Sequence, residues 1–371
     1  MDFDFSDDQE QLRDAVRKWV DKGYTFERRR EITHAGGFDR KVYNELAELG
    51  LCGLYISEAH GGMGMGPVEG MVVMEELGRG IVMEPIQQAL IAGAVLEGYA
   101  PESIQAEWLP KIAGGEAIVV LAQQERKSRY NISKCDAQAQ QQDGHWQITG
   151  TKSMVPVGDQ ADAYLVPAMA AGKLALFLVA KNAKGLSSSA YGTQDGARAA
   201  ELKLEQAPAS LITLDGLTAL SHAVDIGIAN VCAEAVGVMD KTMAITVDYM
   251  NTRKQFNTTI ATFQALRHRV ADMKMQLELG RSMSYYASLK LNAPANERHQ
   301  AMARAKYQLG NSMRYVGQQS VQLHGGIGVT DEYIVSHCFK RLTQIELSLG
   351  DSLHHLGQVS AQMQDTAGVF A

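Results

Sequence analysis

From His222 to Tyr249 the chain runs without a proline and with only scattered glycines, and most of its side chains are apolar. Such a stretch reads as one long, largely buried helix, and it constrains the fold more than any other feature. A helix apolar on most of its faces must be surrounded by others. The chain supplies them, because helical spacing returns in Phe263 to Leu279 and in Arg298 to Leu323. His324-Gly325-Gly326-Ile327-Gly328 interrupts the pattern, and a last helical region covers Leu342 to Leu356. Residues 217–371 are expected to form an antiparallel four-helix bundle.

Residues 1–117 also read as helical. Ser6-Asp7-Asp8-Gln9 has capping-box form, and Leu12, Val16, Trp19 and Val20 follow at helical spacing. A second helix fits Val42 to Leu49 and stops at Gly50, a natural left-handed cap. Glu58 to Gly66 is too glycine-rich to be helical, a third helix lies around Val72 to Leu77, and Gln105 to Lys111 reads as a short helix ending at Pro110. The texture changes near residue 118. Ile118 to Leu121 is a β-branched run, Asp143-Gly144 signals a hairpin, and Trp146 to Gly150 alternates as a strand should. Ala163 to Val166 and Leu174 to Val179 give further strands. The fold class expected is α+β: an N-terminal helical domain (1–117), a middle β-barrel or sandwich domain (118–216) and the C-terminal bundle (217–371).

Composition removes several function classes. A net charge of −7 and a pI near 5.8 argue against a general nucleic-acid binder, which needs a basic face. Cys52, Cys135, Cys232 and Cys338 are widely spaced with no CxxC pair, so neither a disulfide scaffold nor a zinc site is expected. His354-His355 are adjacent and would diverge on a helix, which speaks against a metal site. The acidic Met1 to Ser6 stretch has no signal-peptide apolar run, and no apolar stretch was expected to approach a membrane span of about 20 residues. A cytoplasmic protein is the expectation. Met63, Met65, Met71 and Met74 read either as an adaptable pocket lining or as core.

Several motifs occur in a characteristic order: Glu45-Leu46-Ala47-Glu48-Leu49-Gly50-Leu51, Glu58-Ala59-His60-Gly61-Gly62-Met63-Gly64, Glu75-Glu76-Leu77-Gly78-Arg79, and Trp108-Leu109-Pro110-Lys111. Ile148-Thr149-Gly150-Thr151-Lys152 follows, then Arg253-Lys254-Gln255-Phe256, Phe263-Gln264-Ala265-Leu266 and Gln322-Leu323-His324-Gly325-Gly326-Ile327-Gly328. In this order and spacing the chain resembles the acyl-CoA dehydrogenase family along nearly its whole length. The resemblance implies α,β-dehydrogenation of an acyl-CoA thioester with FAD as cofactor. A carboxylate takes the α-proton, the β-hydrogen leaves as hydride, and donors polarise the thioester carbonyl. It implies an electron-transfer flavoprotein as acceptor, and a homo- or hetero-oligomer (dimer or tetramer) in which FAD lies across a subunit interface.

By the same resemblance, Arg253, Gln255, Phe256, Ile260, Phe263, Leu266, Gln322, Leu323, Gly325 and Gly326 contact a neighbour's FAD. Physically, Arg253 can grip a pyrophosphate in bidentate fashion, or make a surface salt bridge. Phe256 and Phe263 offer flat surfaces to adenine, or are core, and Gly325-Gly326 lets backbone approach phosphate.

Other positions depart from the family pattern. Leu349 stands where the base, a Glu before Gly-Thr, is expected, and Gly227 stands at the alternative position on the long helix. Asp225 and Glu346 are displaced from those positions, and Asp351 is the candidate substitute base, its alternative being a capping or solvated carboxylate. In the β domain Gln124 belongs to the flavin-facing run, but Arg129 and Tyr130 replace a Gly-Ser turn, and Met154 and Pro156 replace a Trp-x-Thr pair. The basic loop Arg126-Lys127-Ser128-Arg129 either meets CoA phosphates or is simply solvated. The neighbour-facing residues are intact and those for the chain's own flavin and base are eroded. That asymmetry resembles the small, base-free subunits of heteromeric members, such as pimeloyl-CoA dehydrogenase. A homo-oligomeric enzyme with a displaced base, or a non-catalytic acyl-CoA- or flavin-binding scaffold, are the alternatives.

Overall fold

The computed structural model describes residues 5–366, with side chains to 363; Met1 to Asp4, which open the acidic N-terminus, lie outside it. The chain divides into two compact units, and the long helix α7 (Gly216–Thr252) contributes to both. One unit takes in the chain up to Arg30, Pro67–Val82, and everything from Ile228 on; the other is Glu31–Gly66 with Met83–Gly227. The elements follow the order N-terminal helices, middle sheet, C-terminal helices.

In the first unit, α1 (Asp7–Gly23) begins with the expected capping box, Ser6 and Gln9 satisfying each other's backbone amides. It packs on α4 (Pro67–Gly80), where Glu76, 1% exposed, accepts from Arg17 at 2.6 Å and pairs with Arg79 at 3.0 Å. The α4 backbone also lies close to α7: a Cβ at Gly237 would sit 1.8 Å from the Glu75 carbonyl oxygen, and one at Gly78 would sit 2.2 Å from that of Glu234. Only glycine permits this approach. α8 (Gln264–Lys290) and α9 (Ala295–His324) pack along each other, and α10 (Ile334–Leu347) and α11 (Ser352–Thr366) pack on α9. The Arg341 guanidinium grips Glu234 of α7 through two bonds of 2.5 and 2.9 Å.

In the second unit, α3 (Arg40–Glu48) is capped by Asp39 and followed by Gly50 at φ +80°, as the sequence requires. α5 (Ile86–Tyr99) and α6 (Glu102–Ala113) pack on one another. The sheet comprises β1 (Val119–Leu121), β2 (Gln138–Gln142), β3 (His145–Pro156), β4 (Ala163–Ala170), β5 (Lys173–Ala180), β6 (Leu186–Gly192) and β7 (Arg198–Thr213). Its order is β1-β4-β2-β3-β7-β5, and β5 also pairs with β4, so the strands from β4 to β5 close into a barrel. Closure removes the open edges an isolated sheet would expose. The β2–β3 hairpin turns at Asp143-Gly144, both at positive φ (51° and 82°), as a two-residue turn of that composition demands.

Four expectations are corrected. α6 does not end at Pro110 but runs to Ala113, with the proline on its exposed side. Phe263 is extended (φ −76°, ψ 116°) and precedes α8 rather than opening it. The last helical region is two helices, broken at Ser348 to Asp351. α7 is long and apolar enough to cross a membrane by length and composition, contrary to the expected absence of such a stretch, yet 94% of its most apolar window is buried, as befits a core helix.

Candidate functional site

The residues that the resemblance assigns to a neighbour's FAD lie in the first unit. α7 ends where the Arg253 amide donates to the Tyr249 carbonyl at 2.8 Å. The chain then turns through a two-stranded hairpin, β8 (Lys254–Gln255) and β9 (Thr258–Thr259), with Phe256 and Asn257 in left-handed backbone at its tip. The Ile260 amide closes the hairpin on the Arg253 carbonyl at 2.9 Å. Phe256 is 86% exposed and meets the half-exposed Phe263 edge to face at 6.1 Å. The phenylalanines are thus surface, not core, and the exposed Arg253 guanidinium makes no salt bridge among the described residues. Gln255 and Gln322 are exposed, Ile260 and Leu266 are half-buried, and Leu323 is buried.

The second part of this cluster follows α9. His324 stacks on Tyr249 at 4.4 Å, its Nδ1 lies 2.8 Å from the Ser320 carbonyl, and burial pulls its pKa below the ordinary histidine value. The Tyr249 hydroxyl donates to the His324 carbonyl at 3.3 Å. Behind this anchor the chain leaves the helix at Gly325, whose φ of +64° and ψ of −140° suit only glycine. A Cβ at Gly325 or Gly326 would meet nothing within 4 Å. An open groove of about 370 Å³ lies here, lined by Gln318, Val321, Gln322, Gly325, Val329 and Phe339. A cation on an exposed hairpin, aromatic faces and bare glycine backbone beside a groove together suit a dinucleotide's phosphates and base.

The expected base positions are arranged differently. Leu349 sits at the bend between α10 and α11 in left-handed backbone (φ +55°), followed by Gly350 at φ +109°. Lys306, a residue that the motifs did not single out, fixes this bend: its buried ammonium donates to the carbonyls of Glu346 at 2.9 Å and Gly350 at 2.8 Å. Burial pulls the Lys306 pKa down to about 8 and that of neighbouring His355 to about 3. His355 Nε2 lies 3.1 Å from the Leu349 carbonyl. Glu346 accepts from the Ser352 amide and hydroxyl and from Arg314. Asp351 accepts the His354 amide at 2.8 Å, capping α11. Asp225 is fully buried, and the Gly227 carbonyl accepts from Gln87. Each of these carboxylates and backbone groups has a place in holding the chain together.

In the second unit, Gln124 joins the sheet through its carbonyl, which accepts the Ser153 amide at 2.8 Å. Met154 follows at φ +54°, with its amide donating to the Tyr191 hydroxyl at 3.2 Å and its sulfur 3.1 Å from the same oxygen. Glu201 accepts from Tyr191 and Ser153 and pairs with Arg126 at 3.6 Å. Lys127 pairs with Asp136, Ser128 bonds back to Glu125, and the Arg129 guanidinium lies over Tyr130 at 5.1 Å. Tyr191 and Glu201 were not picked out in the sequence, and no motif marks them. Of the methionines, Met71 and Met74 are core and Met63 and Met65 are half-buried.

Comparison with known proteins gives the family. The models for the acyl-CoA dehydrogenase N-terminal domain and C-terminal domain match residues 6–116 and 215–364. FadE27, an acyl-CoA dehydrogenase of Mycobacterium tuberculosis, is 26% identical over 361 residues, covering 94% of this chain and 95% of its own. The ChsE4–ChsE5 complex of the same organism superposes with a TM-score of 0.91 at 26% identity, over 99% of this chain and 100% of that one. A Tcur3481–Tcur3483 steroid acyl-CoA dehydrogenase variant does so at 0.90 and 27%, over 97% and 98%. FAD is the cofactor of these enzymes' family, whose members dehydrogenate acyl-CoA. With both family domains matched and the full sequence of helical, sheet and helical regions in place, this chain belongs to the acyl-CoA dehydrogenase family.

Proposed function

We propose that this chain is the supporting, base-free subunit of a heteromeric acyl-CoA dehydrogenase. One observation carries the reading: the surface set for a neighbour's FAD is exposed and open, while the base position holds Leu349 and the nearby carboxylates are engaged in holding the chain. In this role Arg253 grips the pyrophosphate, and Phe256 and Phe263 face the adenine. Gln255, Ile260, Leu266, Gln322 and Leu323 complete the contact, with Gly325 and Gly326 giving backbone access. FAD, when bound, supplies the hydride acceptor for the dehydrogenation. The partner subunit owns the carboxylate that takes the α-proton. Gln124 and Met154 border a strip of the sheet where the Met154 amide, Tyr191, Ser153 and Arg126 are already paired, and Asp351 acts as a helix cap. The substrate class is an acyl-CoA of fatty, dicarboxylic or side-chain type, with electrons passing to an electron-transfer flavoprotein in the cytoplasm. The likeness to the ChsE4–ChsE5 complex supports such pairing.

The test is the visible flavin spectrum and FAD content of the chain purified alone and with its co-expressed relative. A colourless lone chain and a yellow, active complex are expected. One FAD per lone chain, with turnover abolished by Asp351→Asn, would overturn the proposal in favour of a displaced base.

A further inference from the structure

Inside the sheet unit, beside Gln124 and Met154, three chemically active side chains meet. Lys152 on β3 is fully buried, and its Nζ lies 2.6 Å from Glu125 Oε1 and 3.6 Å from Cys135 Sγ. The Cys135 thiol in turn lies 3.3 Å from the same Glu125 oxygen, with the carbonyls of Pro167 and Ala137 at 3.4 and 3.7 Å. Glu125 is itself fixed by the amides of Asp136 and Ala137 at 2.6 and 3.2 Å. Cys52, Cys232 and Cys338 are wholly buried, whereas Cys135 is half-buried, so a small oxidant reaches its sulfur first.

We propose that Cys135 and Lys152 form a reversible nitrogen–oxygen–sulfur crosslink, making this cluster an oxidative modification site. A thiol exposed to oxidant climbs first to the sulfenic acid, and further oxidation joins its oxygen to a nitrogen held beside it. Here the group beside the sulfur is an amine, held in place by a carboxylate. The overall step consumes one dioxygen. The S–H bond and one N–H bond of the neutral amine break, and S–O and O–N bonds form around one oxygen atom. The second oxygen leaves as water with those two hydrogens. Sulfur and nitrogen each give up two electrons, which together reduce the dioxygen. Glu125 Oε1, already bonded to the ammonium, accepts the proton that frees the nitrogen lone pair. The sulfur–nitrogen gap of 3.6 Å closes through the flexible lysine stem.

The link would tie the segment before β2 to β3 two residues from Met154, and would remove the charge that Glu125 faces. Its formation requires no partner subunit, so it stands or falls apart from the supporting-subunit role. The experiment exposes the purified full-length chain to oxygenated buffer or dilute peroxide, followed by accurate mass and peptide mapping with and without dithiothreitol. The expected product gains one oxygen and loses two hydrogens, joins the peptides carrying Cys135 and Lys152, and resists trypsin at Lys152. It reverts with reductant and is absent from Cys135→Ser and Cys135→Ala. Recovery of Cys135 as free thiol, or as sulfenic or sulfinic acid with Lys152 unmodified and cleaved by trypsin, overturns the proposal.

Discussion

The hairpin from Arg253 to Phe263 and the sheet strip around Met154 carry the residues that the family resemblance assigns to flavin, and they differ in how they are satisfied. At the hairpin, the Arg253 guanidinium and the Phe256 and Phe263 rings, which meet edge to face, are exposed, as are Gly325 and Gly326 after α9, where a Cβ would meet nothing within 4 Å. At the strip, the Met154 amide and sulfur meet Tyr191, and Tyr191, Ser153 and Arg126 converge on Glu201. Polar groups already paired gain little by binding something else, whereas an exposed cation and exposed aromatic rings gain by being covered. The bend at Leu349 resembles the strip, since Lys306, His355 and Glu346 occupy themselves with backbone. Under the proposed function, the open hairpin is the side that meets another subunit's cofactor.

Breaking the open side has the largest expected effect. Arg253→Ala combined with Phe256→Ala loses a charge-assisted contact and an aromatic face, so FAD retention by the co-expressed complex falls on the order of a hundredfold. Circular dichroism melting of the variant stays within about 0.5 kcal/mol of the parent, because both side chains are exposed. Unchanged flavin content would dissolve the contrast between the two regions.

Next comes the bend. Lys306→Met leaves two buried carbonyls without a donor and costs about 2 kcal/mol in denaturant unfolding. The folded pKa of Lys306 lies at about 8 against an ordinary 10.5, so the unfolded chain binds more protons between those values. Stability relative to Lys306→Met is expected to rise as pH climbs through that window; a flat difference would show that the ammonium is not penalised by burial.

The acid side gives a slope of the same sign in a lower window. His355 is neutral when folded, with a pKa of about 3 against 6.5 unfolded, so its neutral burial favours folding above pH 6.5. That contribution is lost progressively as pH falls from 6.5 toward 3. His355→Gln flattens the melting temperature over this range, and an unaltered acid profile would move the cause elsewhere.

At the strip, Tyr191→Phe removes the hydroxyl that serves Met154 and Glu201 and costs about 1 kcal/mol, with FAD content of the complex unchanged. A loss of flavin there would show that the strip, too, takes part in cofactor binding. Leu349→Glu has the smallest expected effect: no turnover by the lone chain on acyl-CoA substrates, because a carboxylate at the bend does not reopen the strip. Measurable dehydrogenation by that variant would mean that only the base was missing.

Local chemistry was readable wherever one short segment decides it. Ser6 and Gln9 announced the α1 cap, Gly50 the end of α3, Asp143-Gly144 the hairpin, and the run from His222 to Tyr249 the long helix α7. The ordered motifs were enough to identify the family and to show that Leu349 carries no base. The break between α10 and α11 was hidden, because it depends on Lys306, more than forty residues from Gly350, reaching carbonyls that no pattern marks. Pro110 misled for the complementary reason: the helix carries on past it by packing, and the proline faces solvent. Sequence alone also left Arg253 between a phosphate grip and a salt bridge, and the phenylalanines between a ligand face and core. Residue identity and spacing fix which groups are available and how the backbone turns near them. Burial and partners across the sequence decide which groups remain free to act, and those exist only once distant segments have packed together.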